Sequence, residues 1–329
     1  MRVGVVGCGL IGGSVLRCLA ECGTDRLGAY DPSLTVQREL AALGIAGADD
    51  LDVLAADCEL VVVAAPPAET AAIVIRLLAS DDEVVVTDTS SIKASLARQV
   101  RKAAPQVAER FVPGHPLAGS ERTGFASARA DLFDGAVWAL CPEHGADLGV
   151  VGRVIGLVNA LGANAYLVDA EAHDTAVGFS SHAPHLIANA MARAAPPELR
   201  RRVALLSGGG LRDGTRVAAS DVALWREIVS ANRDATLAGI TAYRDRLDEI
   251  ANAVENEDWV RFDALWADGS TATRELLALR WAPALEESIT VAATTQALFD
   301  VCSEGRTIRS LRWAADGNVD LVVSAQPGE

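Results

Sequence analysis

The stretch Arg2-Val3-Gly4-Val5-Val6-Gly7-Cys8-Gly9-Leu10-Ile11-Gly12-Gly13 decides how this chain is read. A short β-branched run that ends in glycine is the pattern of a buried strand. The glycines at 7, 9 and 12 follow it with the spacing G-x-G-x-x-G, and residues 10–22 continue with the apolar spacing of a helix. Each glycine has its own physical task. Gly7 makes the tight turn out of the strand, Gly9 lets the backbone approach a pyrophosphate, and Gly12 lets the helix pack close to the sheet. The unpaired N–H groups of the first helical turn, with the helix dipole, then hold the phosphates. Alone the three glycines are a weak signal; between a strand and a helix they indicate a dinucleotide.

Residues 26–31 (RLGAYD) read as a second strand, and Asp31 closes it about 20 residues past the glycines, as a dinucleotide site requires. Its carboxylate is placed to accept hydrogen bonds from the adenosine ribose and to repel a 2′-phosphate, and no arginine follows at once to reverse that preference. NAD is therefore expected rather than NADP. Asp31 also stands where it would cap the next helix, and the two roles are compatible. Cofactor contacts are expected from Gly7, Gly9, Leu10, Ile11, Gly12 and Asp31, from Ala65 and Pro66 at the end of the third strong strand, and from Ser91.

Outward from this turn, strands alternate with helices. Strands are read at 58–65 (CELVVVAA), 83–88 (EVVVTD), around 110–112, at 137–141 (VWALC) and at 165–168 (AYLV), with helices at 66–79, 92–104 and 146–161. Such alternation implies right-handed βαβ units and a parallel sheet. After Asp169 the strands vanish. Helical patterns run over 171–193, 197–206, 221–255 and 258–279, broken at Gly208-Gly209-Gly210, and residues 288–325 return to a strand, helix, strand, strand order. The expected fold is α/β: a Rossmann-type parallel sheet over residues 1–169, an all-helical domain over 170–282, and a short strand-containing tail over 283–329 with no assigned role. The helical domain, rich in alanine and leucine, is expected to bury its remaining apolar face against a second copy as a homodimer.

Half of the 329 residues are apolar, enough for two cores. With 44 acidic against 29 basic side chains the formal charge is −15, which argues against nucleic acid or an anionic membrane surface as partners. No apolar run approaches the length of a membrane span. An anionic substrate has to be held by a few locally gathered cations. The six cysteines (Cys8, Cys18, Cys22, Cys58, Cys141 and Cys302) show neither a CxxC pair nor zinc-ligand spacing. No signal peptide is read ahead of the first strand, so they are expected to be reduced, mostly buried thiols of a cytoplasmic protein.

A nucleotide-binding domain does not name a reaction. Thr87-Asp88-Thr89-Ser90-Ser91-Ile92-Lys93 follows the fourth strand and so lies at the carboxyl edge of the sheet, where ligands bind. Residues 114–121 (GHPLAGSE) follow another strand. His115 there is able to accept a proton near neutral pH, and Pro116 restricts its backbone to extended conformations. Taken alone, the same residue reads as an exposed loop histidine. Farther on, His182 and His185 in Ser181-His182-Ala183-Pro184-His185 are three apart and share a helix face. No nearby carboxylate or cysteine has convincing metal-ligand spacing, and no metal is expected. Arg212 and Arg216 beside the glycine run suit carboxylate binding, although solvated surface arginines are the commoner case.

In this order the motifs resemble those of the prephenate dehydrogenases: GxGxxGG at the start, Ser91-x-Lys93, GHPLAGSE, His173-Asp174 followed by SHAPH, the glycine run with Thr215-Arg216, and Ser220-Asp221 with Leu224-Trp225. The resemblance runs from residue 2 to roughly residue 279; the tail after Pro283 matches nothing placed. It implies oxidation of prephenate to 4-hydroxyphenylpyruvate. It implies that His115 is the catalytic histidine on the substrate's ring hydroxyl and that Ser91 orients it near the nicotinamide. His185 is implied as the substrate-binding histidine, Arg216 as the holder of a substrate carboxylate, Glu121 as a carboxylate that shapes or gates the pocket, and His182 as a pocket neighbour. Ala183, where a larger aliphatic residue is usual, and Thr89-Ser90, where glycine is often found, depart from the family pattern in pocket shape more than in chemistry.

Rival readings are an enzyme acting on arogenate or on 4-amino-4-deoxyprephenate, and a non-catalytic NAD-sensing module. A sensor has no need of a proton acceptor, which the joint presence of Ser91, His115, His185 and Arg216 supplies. A β-hydroxyacid dehydrogenase would normally carry a catalytic lysine on its helical domain, and no lysine follows Lys102. The reading requires His115 and Arg216, far apart in sequence, to line one cleft.

Overall fold

The computed structural model describes residues 1–24, 26–119, 122–219, 221–281 and 285–325. They form two compact units. The first holds Met1–His173 together with Leu285–Ala325, and the second begins at Asp174.

In the first unit, β1 (Val3–Val6), β2 (Leu27–Tyr30), β3 (Ala46–Gly47), β4 (Leu60–Val63), β5 (Val85–Asp88) and β6 (Phe111–Val112) make an all-parallel sheet in the order β3-β2-β1-β4-β5-β6. The helices between them are α1 (Leu10–Glu21), α2 (Leu34–Ala42), α3 (Leu51–Asp57), α4 (Pro67–Ser80) and α5 (Ala94–Ala103). Val3, Val5, Val61, Val62, Val85 and Val86 are buried because helices cover both faces, which is why these strands read as unbroken apolar runs. The order reverses between β1 and β4, and this switch point opens a crevice at the carboxyl ends of the strands.

Beyond β6 the chain enters a second, mixed sheet where the sequence suggested more of the first. β7 (Gly114–Pro116) pairs antiparallel with β8 (Val137–Leu140), which runs parallel to β9 (Asn164–Leu167), and α6 (Leu148–Ala160) connects the last two. Residues 114–116, read as a loop, are thus a strand, and His115 lies opposite Ala139. The sheet continues through β11 (Thr307–Trp313), β12 (Val319–Ala325) and β10 (Leu285–Val291), joined to β9 by Ile308 opposite Ala165. α14 (Thr295–Ser303) buries Leu298, Phe299, Val301 and Cys302 in the core that also holds Leu140, Val154 and Leu167. The segment expected to stand apart as a tail therefore belongs to the first unit. A segment this short has too little apolar surface for a core of its own.

The second unit is helical: α7 (Ala170–Val177) leads into it, followed by α8 (Ala183–Ala194), α9 (Arg200–Leu206), α10 (Gly209–Thr215), α11 (Val222–Ala231), α12 (Arg233–Glu255) and α13 (Trp259–Trp281). Two helices read as continuous are interrupted. Gly178–His182 is a π-helical turn between α7 and α8, and the 221–255 pattern breaks at Asn232, with φ −119° and ψ 43°. Apolar spacing survives both interruptions, so periodicity alone passes over them. Among the described residues no helix is long and apolar enough to cross a membrane.

Candidate active site

The glycine turn tests whether a dinucleotide fits. Gly7 has φ +82°, and a Cβ there would meet the Ala64 carbonyl oxygen at 2.6 Å. A Cβ on Gly12 would lie 2.0 Å from the Gly7 oxygen, whereas one on Gly9 would meet nothing within 4 Å. The turn is closed where helix and strand must touch and open where a phosphate must approach. Gly9 stands at the N-cap of α1 and offers no side-chain cap, leaving N–H groups of the first turn for an anion. Asp31 Oδ2 accepts from the Cys8 N–H at 2.8 Å, and its Oδ1 accepts from the Ser33 N–H at 2.8 Å. The cap of α2 is Ser33, not Asp31. The half-buried Asp31 carboxylate is thus drawn to the glycine turn. Ala65 and Pro66 end the neighbouring β4 segment, so Gly7, Gly9, Leu10, Ile11, Gly12, Asp31, Ala65 and Pro66 gather at the carboxyl ends of β1, β2 and β4. These residues fit a dinucleotide.

At the next strand, β5 ends in Asp88, and a fully buried ion pair ties it to β7. Lys93 Nζ donates to Asp88 Oδ2 at 2.5 Å, to the Gly114 carbonyl at 2.6 Å and to Ser90 Oγ at 3.1 Å. Asp88 also accepts from the Gly114 N–H at 3.0 Å and from the Ser90 N–H at 2.9 Å. Of the Ser91-x-Lys93 motif it is Lys93 that, with Asp88 and Ser90, braces the backbone just before His115. Half-buried Ser91 lies in the loop between β5 and α5.

His115 is half-buried, and its Nδ1 lies 2.9 Å from Nε2 of His173, with ring planes at 77°. His173, 4% exposed, sits on the first turns of α7 and was not singled out as a site residue. The His173-Asp174 dipeptide was the signal that marks it. Glu121 lies outside the described residues.

In the second unit, the π-turn carries His182 at its end. A π-turn inside a longer helix is frequent at functional sites. Asn232 donates one amide N–H to the Asp174 carbonyl at 2.6 Å and is 3.1 Å from His182 Nδ1. The second amide hydrogen goes to that nitrogen, so neutral His182 carries its proton on Nε2. Asn232 stands at the break between α11 and α12. His185 Nδ1 donates to the Ser181 carbonyl at 2.7 Å, and its ring lies over Trp225 with centroids 4.2 Å apart. Trp225 meets His182 edge-on at 6.2 Å. In the sequence Trp225 stands out only as part of the Ser220-Asp221, Leu224-Trp225 motif, with no role of its own, and Asn232 carries no signal. Arg216 starts a short 3₁₀ turn that packs on α8, the helix of His185; it is exposed and makes no ion pair among the described residues.

Burial pushes the Cys8 thiol, next to the Asp31 carboxylate, up to about 12, and burial raises Cys302 to about 12. These thiols are not nucleophiles at neutral pH.

A parallel sheet with a dinucleotide turn, a histidine beyond its carboxyl edge and a separate helical unit define a two-domain, nucleotide-dependent dehydrogenase. Residues 17–167 match the model for the nucleotide-binding domain of prephenate dehydrogenase, and residues 169–267 match that for its dimerization domain. The chain belongs to the prephenate dehydrogenase family. It is 28% identical over 264 residues to the cyclohexadienyl dehydrogenase of Zymomonas mobilis, covering 78% of this chain and 89% of the relative. It is 32% identical over 175 residues to the prephenate dehydrogenase of Bacillus subtilis, covering 53% of this chain and 47% of that one. The prephenate dehydrogenase of A. aeolicus, solved with hydroxyphenyl propionate and NAD+, superposes with a TM-score of 0.76 at 25% identity, over 84% of this chain and 98% of the other.

Proposed function

We propose that this chain oxidises prephenate to 4-hydroxyphenylpyruvate with release of carbon dioxide, using NAD, as a cytoplasmic homodimer joined through its helical unit. The observation that carries the reading is His115, seated on β7 against His173 in the unit whose glycine turn fits a dinucleotide. Gly7, Gly9, Leu10, Ile11 and Gly12 would hold the pyrophosphate, Asp31 the adenosine ribose, and Ala65, Pro66 and Ser91 the remaining cofactor surface. When bound, the nicotinamide supplies the hydride acceptor.

His115 takes the ring-hydroxyl proton of the substrate as hydride leaves the same carbon. The ketone so formed stands opposite the ring carboxylate and receives its electron pair as carbon dioxide departs. Aromatisation then makes the reaction irreversible. A histidine base contributes about 10²–10⁴-fold. His185 and Arg216 bind the substrate and contribute orientation, and Arg216 gives a carboxylate a bidentate partner. Glu121 shapes the pocket in this reading, and His182 lies beside the substrate-binding histidine.

Arogenate is the alternative substrate, kept in view by the relative named for cyclohexadienyl substrates. The test measures NADH formation with prephenate and arogenate side by side. Prephenate is expected to give the higher kcat/KM; a reversed ratio overturns the substrate assignment, and no turnover of either overturns the reaction. His115→Asn should abolish turnover with NAD affinity intact. Arg216→Ala should chiefly raise the substrate KM.

A further inference from the structure

Two neutral imidazoles joined by one N···N hydrogen bond hold one proton between them. His115 Nδ1 and His173 Nε2 are 2.9 Å apart with ring centroids 5.1 Å apart. That separation is the bond length plus about one ring radius at each end, so the two nitrogens face each other in line. If His115 donates from Nδ1, its Nε2 carries a lone pair and is a base. If His173 donates, His115 carries its proton on Nε2 and has no lone pair there to take another.

We propose that His173 is a positioning residue: its Nε2 accepts the hydrogen bond from His115 Nδ1 and holds His115 in the tautomer whose Nε2 takes the substrate proton. This rests on the reading of His115 as the proton acceptor. Both rings stand on braced backbone. His115 lies on β7, paired with β8 and tied through Gly114 to the buried Lys93. His173 donates its backbone N–H to the Asp169 carbonyl at 2.8 Å, and Glu171 in the same turn pairs with Arg98 of α5 at 3.0 Å.

As the proton arrives at Nε2, His115 becomes an imidazolium with an N–H at both nitrogens. The bond to His173 then becomes charge-assisted and strengthens as the reaction proceeds. A carboxylate in the place of His173 would hold the same tautomer, but it would also set a negative charge near a substrate that carries two carboxylates, in a chain already at −15. A neutral imidazole accepts the bond without that repulsion.

The test pairs spectroscopy with kinetics on the full chain. Histidine-selective ¹⁵N labelling, with five histidines to assign and His115→Asn to identify the signal, reports which nitrogen of His115 bears the proton. Nδ1–H is expected in the cofactor-free protein, and His173→Leu should relax the signal toward the tautomer mixture of a free imidazole. The same variant should lower kcat by about 10–100-fold while the prephenate KM and NADH affinity stay within about threefold. His173→Gln, whose amide oxygen also accepts from Nδ1, should recover at least about tenfold of the loss. An Nε2–H signal in the wild type overturns the proposal, as does a His173→Leu variant with wild-type kcat. A His173→Gln variant that folds but is no faster than the Leu variant overturns it as well. His115→Asn separates the two ideas: if it stays fully active the base assignment fails, and if it is dead while His173→Leu is not, only the role of His173 fails.

Discussion

Lys93 is the most consequential buried charge in the first unit, and Lys93→Met is the change that isolates it. Methionine keeps most of the volume and removes Nζ, which contacts Asp88, the Gly114 carbonyl and Ser90. Asp88 would keep its bonds from the Gly114 and Ser90 N–H groups but lose its counter-charge in a site with no exposure on either partner. Removing one member of a buried pair costs about 3–5 kcal/mol. The orphaned Gly114 carbonyl contributes about 1–3 kcal/mol that overlaps with this figure. Taking about 4 kcal/mol, and about 2–4 °C per kcal/mol for a unit of this size, the midpoint of the first unit's thermal transition should fall by roughly 8–16 °C. Calorimetry on the full chain measures it. Lys93→Met with Asp88→Asn, which leaves no unpaired charge, should recover part of the loss. Because β7 carries His115, kcat should drop more than NADH affinity in the single variant. A single variant within about 2 °C of wild type would refute the argument that this pair braces the site.

Gly12→Ala forces a methyl to within 2.0 Å of the Gly7 oxygen, so NADH affinity by fluorescence titration should weaken by at least about tenfold; an unchanged affinity would mean that the turn does not hold the cofactor. His144 has its pKa raised by the hydrogen bond to Asp169 and then by that to Gln296 of α14. Its contribution is therefore complete below the ordinary histidine value and lost as pH rises through the elevated folded value. Hydrogen exchange in α14, corrected for intrinsic rates, should be faster at about pH 9 than at about pH 6, and His144→Gln should erase the difference; equal protection in the wild type would dismiss the coupling. Iodoacetamide at about pH 8 should label exposed Cys22 first and leave Cys8 and Cys302 untouched until unfolding, which peptide mass spectrometry reads directly.

The elements that local pattern reveals are those whose physics is local. Val3–Val6 and Leu60–Val63 are buried on both faces and read as apolar runs, and the glycine spacing after β1 has one good structural use. The short strand of His115 escaped notice because three residues carry no period of their own; only pairing with Val137–Leu140 makes them a strand. The break at Asn232 is silent in the sequence because the apolar spacing passes through it, while the residues its side chain bonds, Asp174 and His182, lie some fifty positions away. The segment Leu285–Ala325 shows its strands and helix in order, yet nothing in it indicates that β11 joins β9.

Sequence alone determined that a strand, a glycine turn and an acid at the end of the second strand would build a dinucleotide site, because each of those requirements is met within about thirty residues of chain. Tertiary structure decided that His115 meets His173, that Lys93 is buried against Asp88, and that His185 lies over Trp225. Those contacts join residues that no periodicity links; they exist only because packed sheets and helices bring distant side chains within hydrogen-bond or van der Waals range.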